Sequence, residues 1–247
     1  MTAQQSLVPT KGAKMLYLIR RRPGVSREEL IVHWFARHMP LVIESQRKAS
    51  AAGKFHAWRY IATLYDANAE GQHVWDGVAA LSFDSALSTA GVAHGEPPMD
   101  SFQERAFSYS PWATREYVVI DGSGHLPITP STLGVPYPCT RSGFLKISFL
   151  VKAKAGVDLV AFHEHWQYVH APNVAAVMQK VGGMRYVLNL SVEPDVAPFA
   201  GMAELWFHSV EDWRRYRATI QPDGMERFAS DEGTLVLRSV TEMIGIT

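Results

Sequence analysis

Residues 24–42 read GVSREELIVHWFARHMPLV, and residues 156–174 read GVDLVAFHEHWQYVHAPNV. Gly24, Val25, His33, Trp34, His38, Pro40 and Val42 meet Gly156, Val157, His165, Trp166, His170, Pro172 and Val174 without a gap. Self-similarity of this kind marks two copies of one structural unit. The register continues where loops permit. Arg59-Tyr60 matches Arg185-Tyr186, DGVAALSFDS (76–85) matches AGMAELWFHS (200–209), and Glu104-Arg105 matches Glu226-Arg227. A closing stretch at Glu116–Ile120 matches Glu242–Ile246. Between the copies lies DGSGHLPITPSTLGVPYPCTR (121–141), whose Gly, Pro, Ser and Thr content reads as a linker. The expected division is a first copy at 14–120, a linker at 121–141 and a second copy at 142–247.

Each copy parses alike. An apolar strand (14–19; 145–151) leads through a glycine turn into a helix. Ser26 with Glu29 offers a capping box, and Asp158 is the cap of the second copy. Pro40 and Pro172 disfavour helical geometry at Met39 and Ala171, so a kink or break is expected beside His38 and His170. A strand through Arg-Tyr, a strand through Gly-x-Ala-x-Leu-x-Phe, a second helix and a last strand complete the unit. The β-α-β-β-α-β order is that of a ferredoxin-like α+β repeat. Two such sheets can bury their bare faces on each other, which predicts an intrachain pseudo-dimeric barrel with an interior cavity.

At 247 residues the chain suits two domains of about 100–120 residues each. Lys+Arg and Asp+Glu both number 24, which speaks against a nucleic-acid partner. Arg20-Arg21-Arg22 ends a strand and reads as a solvated edge. The one cysteine, Cys139, excludes an intrachain disulfide and cysteine-based metal sites. A polar N-terminus and the lack of any apolar run of spanning length predict a cytoplasmic protein with no membrane association. His163-Glu164-His165 is a poor chelate, since alternate helix positions do not share a face, so no metal is expected.

Four residues separate Trp34 from His38 and Trp166 from His170, which puts each pair on one helix face. A histidine beside a helix break suits general acid/base work. It could equally serve to bond the backbone that the proline leaves open. His33 and His165 point to another face and read as packing residues, while Trp34 and Trp166 read as core or cavity wall. On their strands, one residue of Arg59-Tyr60 and of Arg185-Tyr186 faces inward. An inward tyrosine can protonate a substrate oxygen, and an inward arginine can stabilise an enolate or carboxylate. The copies differ at Glu204 (for Ala80), His208 (for Asp84) and Asn173 (for Leu41), which suggests a more specialised second half-site. The first copy carries a longer insert at 45–54 and a Gly/Pro-bearing segment at 91–98, either of which could form a lid.

Together these motifs resemble the EthD family of the dimeric α+β barrel superfamily, over roughly residues 14–120 and 143–246. The resemblance implies the barrel fold and marks the histidine before x-Pro, His38 or His170, as the cavity histidine. It also implies a range of chemistries. A haem, as in a distant branch, would need a proximal histidine that this sequence does not mark out, so no cofactor is expected. Two functions are consistent with these readings. One is a cofactor-independent enzyme of lyase/dehydratase, cyclase or isomerase type, acting on a hydrophobic, aromatic or polyketide-like molecule. His38, His170, Tyr60, Tyr186, Arg59 and Arg185 would then be catalytic, with Trp34, Trp166, Glu204, His208 and Asn173 contacting substrate. The other is a non-catalytic binding protein that accompanies an oxygenase-based degradation pathway. A hydrophobic small molecule is the expected partner in both, and the chain would act as a monomeric pseudo-dimer or a homodimer.

Overall fold

The computed structural model describes residues 7–68, 74–87 and 93–247. Among them, the first copy runs β1 (Ala13–Ile19), α1 (Arg27–His33), α2 (Met39–Ala51), β2 (Arg59–Leu64), β3 (Gly77–Phe83) and β4 (Trp112–Ile120). The second runs β5 (Cys139–Ala153), α3 (Leu159–His165), α4 (Ala171–Val181), β6 (Gly183–Ser191), β7 (Gly201–Phe207), α5 (Val210–Thr219) and β8 (Ala229–Ile246). The fold is α+β with antiparallel strand pairing. The first copy lacks the second helix among the described residues. Its 93–111 stretch, bearing Gly95, Pro97 and Pro98, is built of turns instead.

The chain forms two compact units that are not the two sequence copies. The first unit comprises Gly12–Ala113, Pro127–Ser142 and Ser239–Thr247; the second comprises Met1–Lys11, Thr114–Leu126 and Gly143–Arg238. In the first, β3 lies between β1 and β2, and the C-terminal end of β8 pairs with β2. In the second, β7 lies between β5 and β6, and β4 pairs with β6. Each copy thus hands its last strand to the unit built on the other copy. The exchanged strands sit equivalently. Beside Tyr60 the β2–β8 register shifts at Gly245, and beside Tyr186 the β4–β6 register shifts at Val119, its counterpart in the repeat. A Cβ at Gly245 would lie 3.0 Å from Tyr60 Cδ1, so the bulge makes room for the tyrosine ring.

The expected helix break is a widening rather than a kink. Residues Trp34–His38 and Trp166–His170 each form a π-helical turn, with the Met39 N–H donating to the Trp34 carbonyl and the Ala171 N–H to the Trp166 carbonyl. Proline lacks a donor and crowds the carbonyl four residues back, and the wider turn absorbs both effects without ending the helix. Upstream, Asp158 caps α3 through the N–H groups of Val160 and Ala161. Only half of the expected capping box forms at α1. Ser26 accepts from the Glu29 N–H, but the Glu29 carboxylate accepts from Arg105 Nε at 2.7 Å. The 45–54 insert is mostly the end of α2, not a free lid. Of the 91–98 segment, residues 91 and 92 lie outside the described residues. Arg21, read as a solvated edge residue, bonds the buried Asp76 at 2.7 Å.

Each helical arm covers one sheet face with an apolar core. Trp34, Leu30 and Met39 pack there in the first unit, and Trp166, Phe162 and Met178 in the second. Gly77 and Gly201 admit the indoles. A Cβ would lie 2.9 Å from Trp34 Cζ3 at Gly77 and 3.0 Å from Trp166 Cζ3 at Gly201. The opposite sheet faces are also buried but polar. Glu204 bonds Lys146 Nζ at 2.6 Å and accepts from Asn189 at 2.9 Å, while Glu242 accepts from Thr63 at 3.1 Å and pairs with Arg141. No described helix is long and apolar enough to cross a membrane.

Candidate active site

Each unit holds a cavity between its helical arm and the sheet face that the arm covers. The first, of about 580 Å³, is lined by Trp34, His38, Tyr60, Tyr17, Tyr109, His94, Phe102, Phe55 and aliphatic side chains. The second, of about 570 Å³, is lined by Trp166, His170, Tyr186, Tyr216, Trp213, Phe149, Arg217 and Asp231 among others. Both volumes suit a ligand of drug-like size, and both walls combine aromatic with aliphatic and polar side chains.

The repeated histidines stand at these walls. His38 Nδ1 lies 2.6 Å from Asp100 Oδ2, with the two side chains only 14% and 11% exposed. Asp100 Oδ1 accepts from the N–H groups of Phe102 and Gln103. Burial alone would raise the Asp100 carboxyl, but the bond from His38 and those backbone N–H groups outweigh it and hold the carboxyl below its ordinary value. An ionised carboxylate can only accept, so Nδ1 carries a proton, and in the neutral imidazole Nε2 is the acceptor. Nε2 lies 3.4 Å from the Tyr109 hydroxyl. The Phe102 ring supports the imidazole at 4.6 Å between centroids.

In the second unit, His170 Nδ1 lies 2.9 Å from Asp223 Oδ2 and 3.1 Å from Oδ1. Asn173 Nδ2 donates to the same Oδ2 at 2.7 Å. Against the effect of burial, the bonds from His170 and Asn173 hold the Asp223 carboxyl well below the usual carboxylate range. His165 Nε2 is 3.8 Å from Asp223 Oδ1 and its ring packs on Phe228, whereas His33 Nδ1 meets the Ser101 hydroxyl at 2.8 Å.

Tyrosine, not arginine, faces the cavity on both Arg-Tyr strands. Trp34 Nε1 donates to the Tyr60 hydroxyl at 3.1 Å, and burial pushes the Tyr60 phenol far above its usual value. Trp166 Nε1 leans on the Tyr186 hydroxyl without reaching that bonding geometry, and the Tyr186 phenol is likewise pushed up by burial. The arginines occupy the other face. Arg59 Nε donates to Ser82 and its guanidinium lies over Trp58; Arg185 pairs with Asp121 at 2.5 Å and lies over Trp206. Of the three divergent residues, Glu204 is in the polar face beyond the sheet, and the exposed His208 sits edge-on to His125. Asn173 acts on the site only through Asp223. These placements take Arg59, Arg185, Glu204 and His208 away from the cavity walls, because strand alternation sends them to the face the arm does not cover or to the strand end.

Asp100 and Asp223, together with Tyr17, His94, Gln103 and Tyr109, lie outside the repeated motif and join the sites only in the fold. A signal was present. PPMDSFQER (97–105) and QPDGMER (221–227) each place an aspartate shortly after proline and shortly before the matched Glu-Arg. No group of three or more His, Cys, Asp or Glu side chains among the described residues is arranged to hold a metal ion.

Helical arms over antiparallel sheets, each beside a cavity with a histidine–aspartate pair at its wall, define an α+β protein with two corresponding candidate sites. Residues 154–236, within the second copy, match the EthD domain. Among solved structures, an anthrone oxidase-like protein is similar over 95% of this chain and 92% of its own, at 11% identity and a TM-score of 0.52. A candidate monooxygenase from Fusobacterium nucleatum is similar over 98% and 96%, at 6% identity and a TM-score of 0.50. Chlorite dismutase from Candidatus Nitrospira defluvii, in complex with imidazole, covers 93% and 91% at 11% identity and a TM-score of 0.47. The likeness to the first two, at identities this low, concerns the fold alone and leaves the chemistry to the site. No curated protein matches the chain in sequence.

Proposed function

We propose that the protein is a cofactor-independent enzyme of lyase/dehydratase, cyclase or isomerase type that acts on a hydrophobic, aromatic small molecule. The observation that carries this reading is the His38–Asp100 pair, which leaves Nε2 as a proton acceptor at the wall of an aromatic cavity. A carboxylate that holds the imidazole tautomer and balances the imidazolium is the arrangement general-base catalysis uses. Tyr60 and Trp34 shape the floor. His170, backed by Asp223 and Asn173, forms the corresponding half-site, with Tyr186 and Trp166 in the matching places. The fold-mate named anthrone oxidase-like is consistent with an aromatic ketone as substrate type. Two ferredoxin-like EthD repeats, closed as a pseudo-dimeric barrel that acts as a monomer or homodimer, belong to the same proposal. The internal repeat and the exchange of last strands support it.

The test is incubation with a panel of polycyclic phenols and aromatic ketones, read by mass spectrometry. Conversion of at least one compound is expected, with His38→Gln slowing turnover by about a hundredfold or more while the fold persists. Tight binding of a panel member with no conversion on long incubation would establish the accessory binding protein instead.

A further inference from the structure

The hydrogen bonds around Tyr109 give the first cavity a proton polarity that the repeat motif does not contain. The Met99 N–H donates to Gln103 Oε1 at 2.7 Å, which turns the amide nitrogen towards Tyr109. Gln103 Nε2 then donates to the Tyr109 hydroxyl oxygen at 3.1 Å. With its oxygen accepting from Gln103, Tyr109 has its own proton free to donate. Across the cavity wall stands His38 Nε2, an acceptor because Asp100 claims the Nδ1 proton. The gap between Tyr109 and Nε2 is 3.4 Å, too long for a strong O–H···N bond. A donor and an acceptor thus sit side by side, poorly satisfied by each other.

We propose that this pair grips a phenolic or enolic hydroxyl: the ligand oxygen accepts from the Tyr109 O–H while its own proton is donated to His38 Nε2. The proposal rests on the general-base reading of His38 and adds the substrate class. Transfer of that proton breaks the ligand O–H bond and forms the Nε2–H bond. It leaves an oxyanion beside an imidazolium whose charge Asp100 balances, and no oxidant or reductant is involved. The surroundings fit an aromatic oxyanion. Tyr17 packs edge-on to Tyr109 at 6.0 Å and His94 stacks on Tyr109 at 5.6 Å, so the cavity offers flat partners for a ring as well as a donor for its oxygen. Burial pushes the Tyr109 phenol up to about 12, which keeps it a donor throughout the neutral range. Burial also lowers His94, helped by the nearby His38, so that it stays uncharged as a stacking surface.

Binding of 2-naphthol and of its methyl ether, 2-methoxynaphthalene, by isothermal titration calorimetry tests this. The ether keeps the rings but has no proton to give. The hydroxyl compound is expected to bind about tenfold more tightly, the usual difference when a buried donor–acceptor pair is left unmet. Tyr109→Phe keeps the ring contacts and should weaken both compounds at least about fivefold, since either oxygen can accept from the tyrosine hydroxyl. Gln103→Met, which frees the tyrosine oxygen to turn, should weaken both in the same direction. Thermal melts report whether each variant is folded. Equal affinity for the two compounds, or undiminished affinity for both in folded Tyr109→Phe, overturns the proposal. If preference is absent yet His38→Gln still stops turnover of a converted compound, the base assignment stands and only the substrate class falls.

Discussion

Replacing Asp100 by asparagine tests how the site is wired without changing its size. Oδ1 is committed to two backbone N–H groups, at 3.0 Å from Phe102 and 2.9 Å from Gln103, and Oδ2 faces His38 Nδ1 at 2.6 Å. An amide NH2 turned towards two N–H donors would oppose them, so the asparagine carbonyl keeps those bonds and the NH2 faces Nδ1. Nδ1 must then accept, and the proton moves to Nε2. The acceptor in the cavity is lost while the ring stays in place. Folding stability should fall only modestly, by about 0.5–1.5 kcal/mol, as one charge-assisted bond becomes a neutral one. Turnover of a converted compound should drop by about 10²–10⁴-fold, the range lost with a misprotonated general base. Long-range proton–nitrogen NMR on histidine-labelled protein at alkaline pH reads the tautomer directly and needs no substrate. Wild type should show His38 protonated on Nδ1 and the variant on Nε2. Persistence of the Nδ1–H form in Asp100→Asn, or undiminished turnover, would refute the reasoning.

Other expectations follow from geometry and charge. Gly77→Ala and Gly201→Ala would press a methyl group onto the Trp34 and Trp166 indoles and onto backbone carbonyls at 2.5 and 2.6 Å, so each should destabilise by about 1–3 kcal/mol in urea unfolding. An unchanged midpoint would contradict the packing described. Asp100 and Asp223 are held below their ordinary values in the folded protein, so the stability they contribute is complete above about pH 4 and is lost as pH falls through the folded values. Asp223→Ala should therefore flatten the acid limb of a plot of melting temperature against pH. Tyr17 and Tyr109 are pushed up to about 12, so they should ionise after the exposed tyrosines in a near-ultraviolet titration. Stability should fall as pH rises from about 10 towards 12, because the unfolded chain releases those protons first.

Much of the fold was legible because it is repeated. The strand–glycine–helix order, the caps at Ser26 and Asp158, and the place of His38 and His170 all lie within one contiguous motif whose periodicity reads locally. The exchange of last strands was not legible, since Glu116–Ile120 and Glu242–Ile246 look the same whichever copy they complete. The missing helix of the first copy was hidden by matching Glu104-Arg105 to Glu226-Arg227, although Gly95, Pro97 and Pro98 argue for turns. At the site, alternation along a strand shows that Arg59 and Tyr60 part company but not which one meets the helix. Asp100 escaped notice because its partner stands far away in the sequence, and a lone aspartate in a turn reads as an ordinary turn residue.

The strand exchange also orders events during synthesis. When β1 to β3 have left the ribosome, the edge of β2 has no neighbour. Its partner, Thr241–Ile246, is made only after β5, β6 and β7 of the second copy. β4 must likewise wait for β6. The first copy therefore cannot mature ahead of the second, as sequential domains usually do, and an open strand edge is exposed to wrong partners until the second copy has been made. A stop codon ahead of Thr241 would injure the copy made first, by removing the strand that lies beside Tyr60.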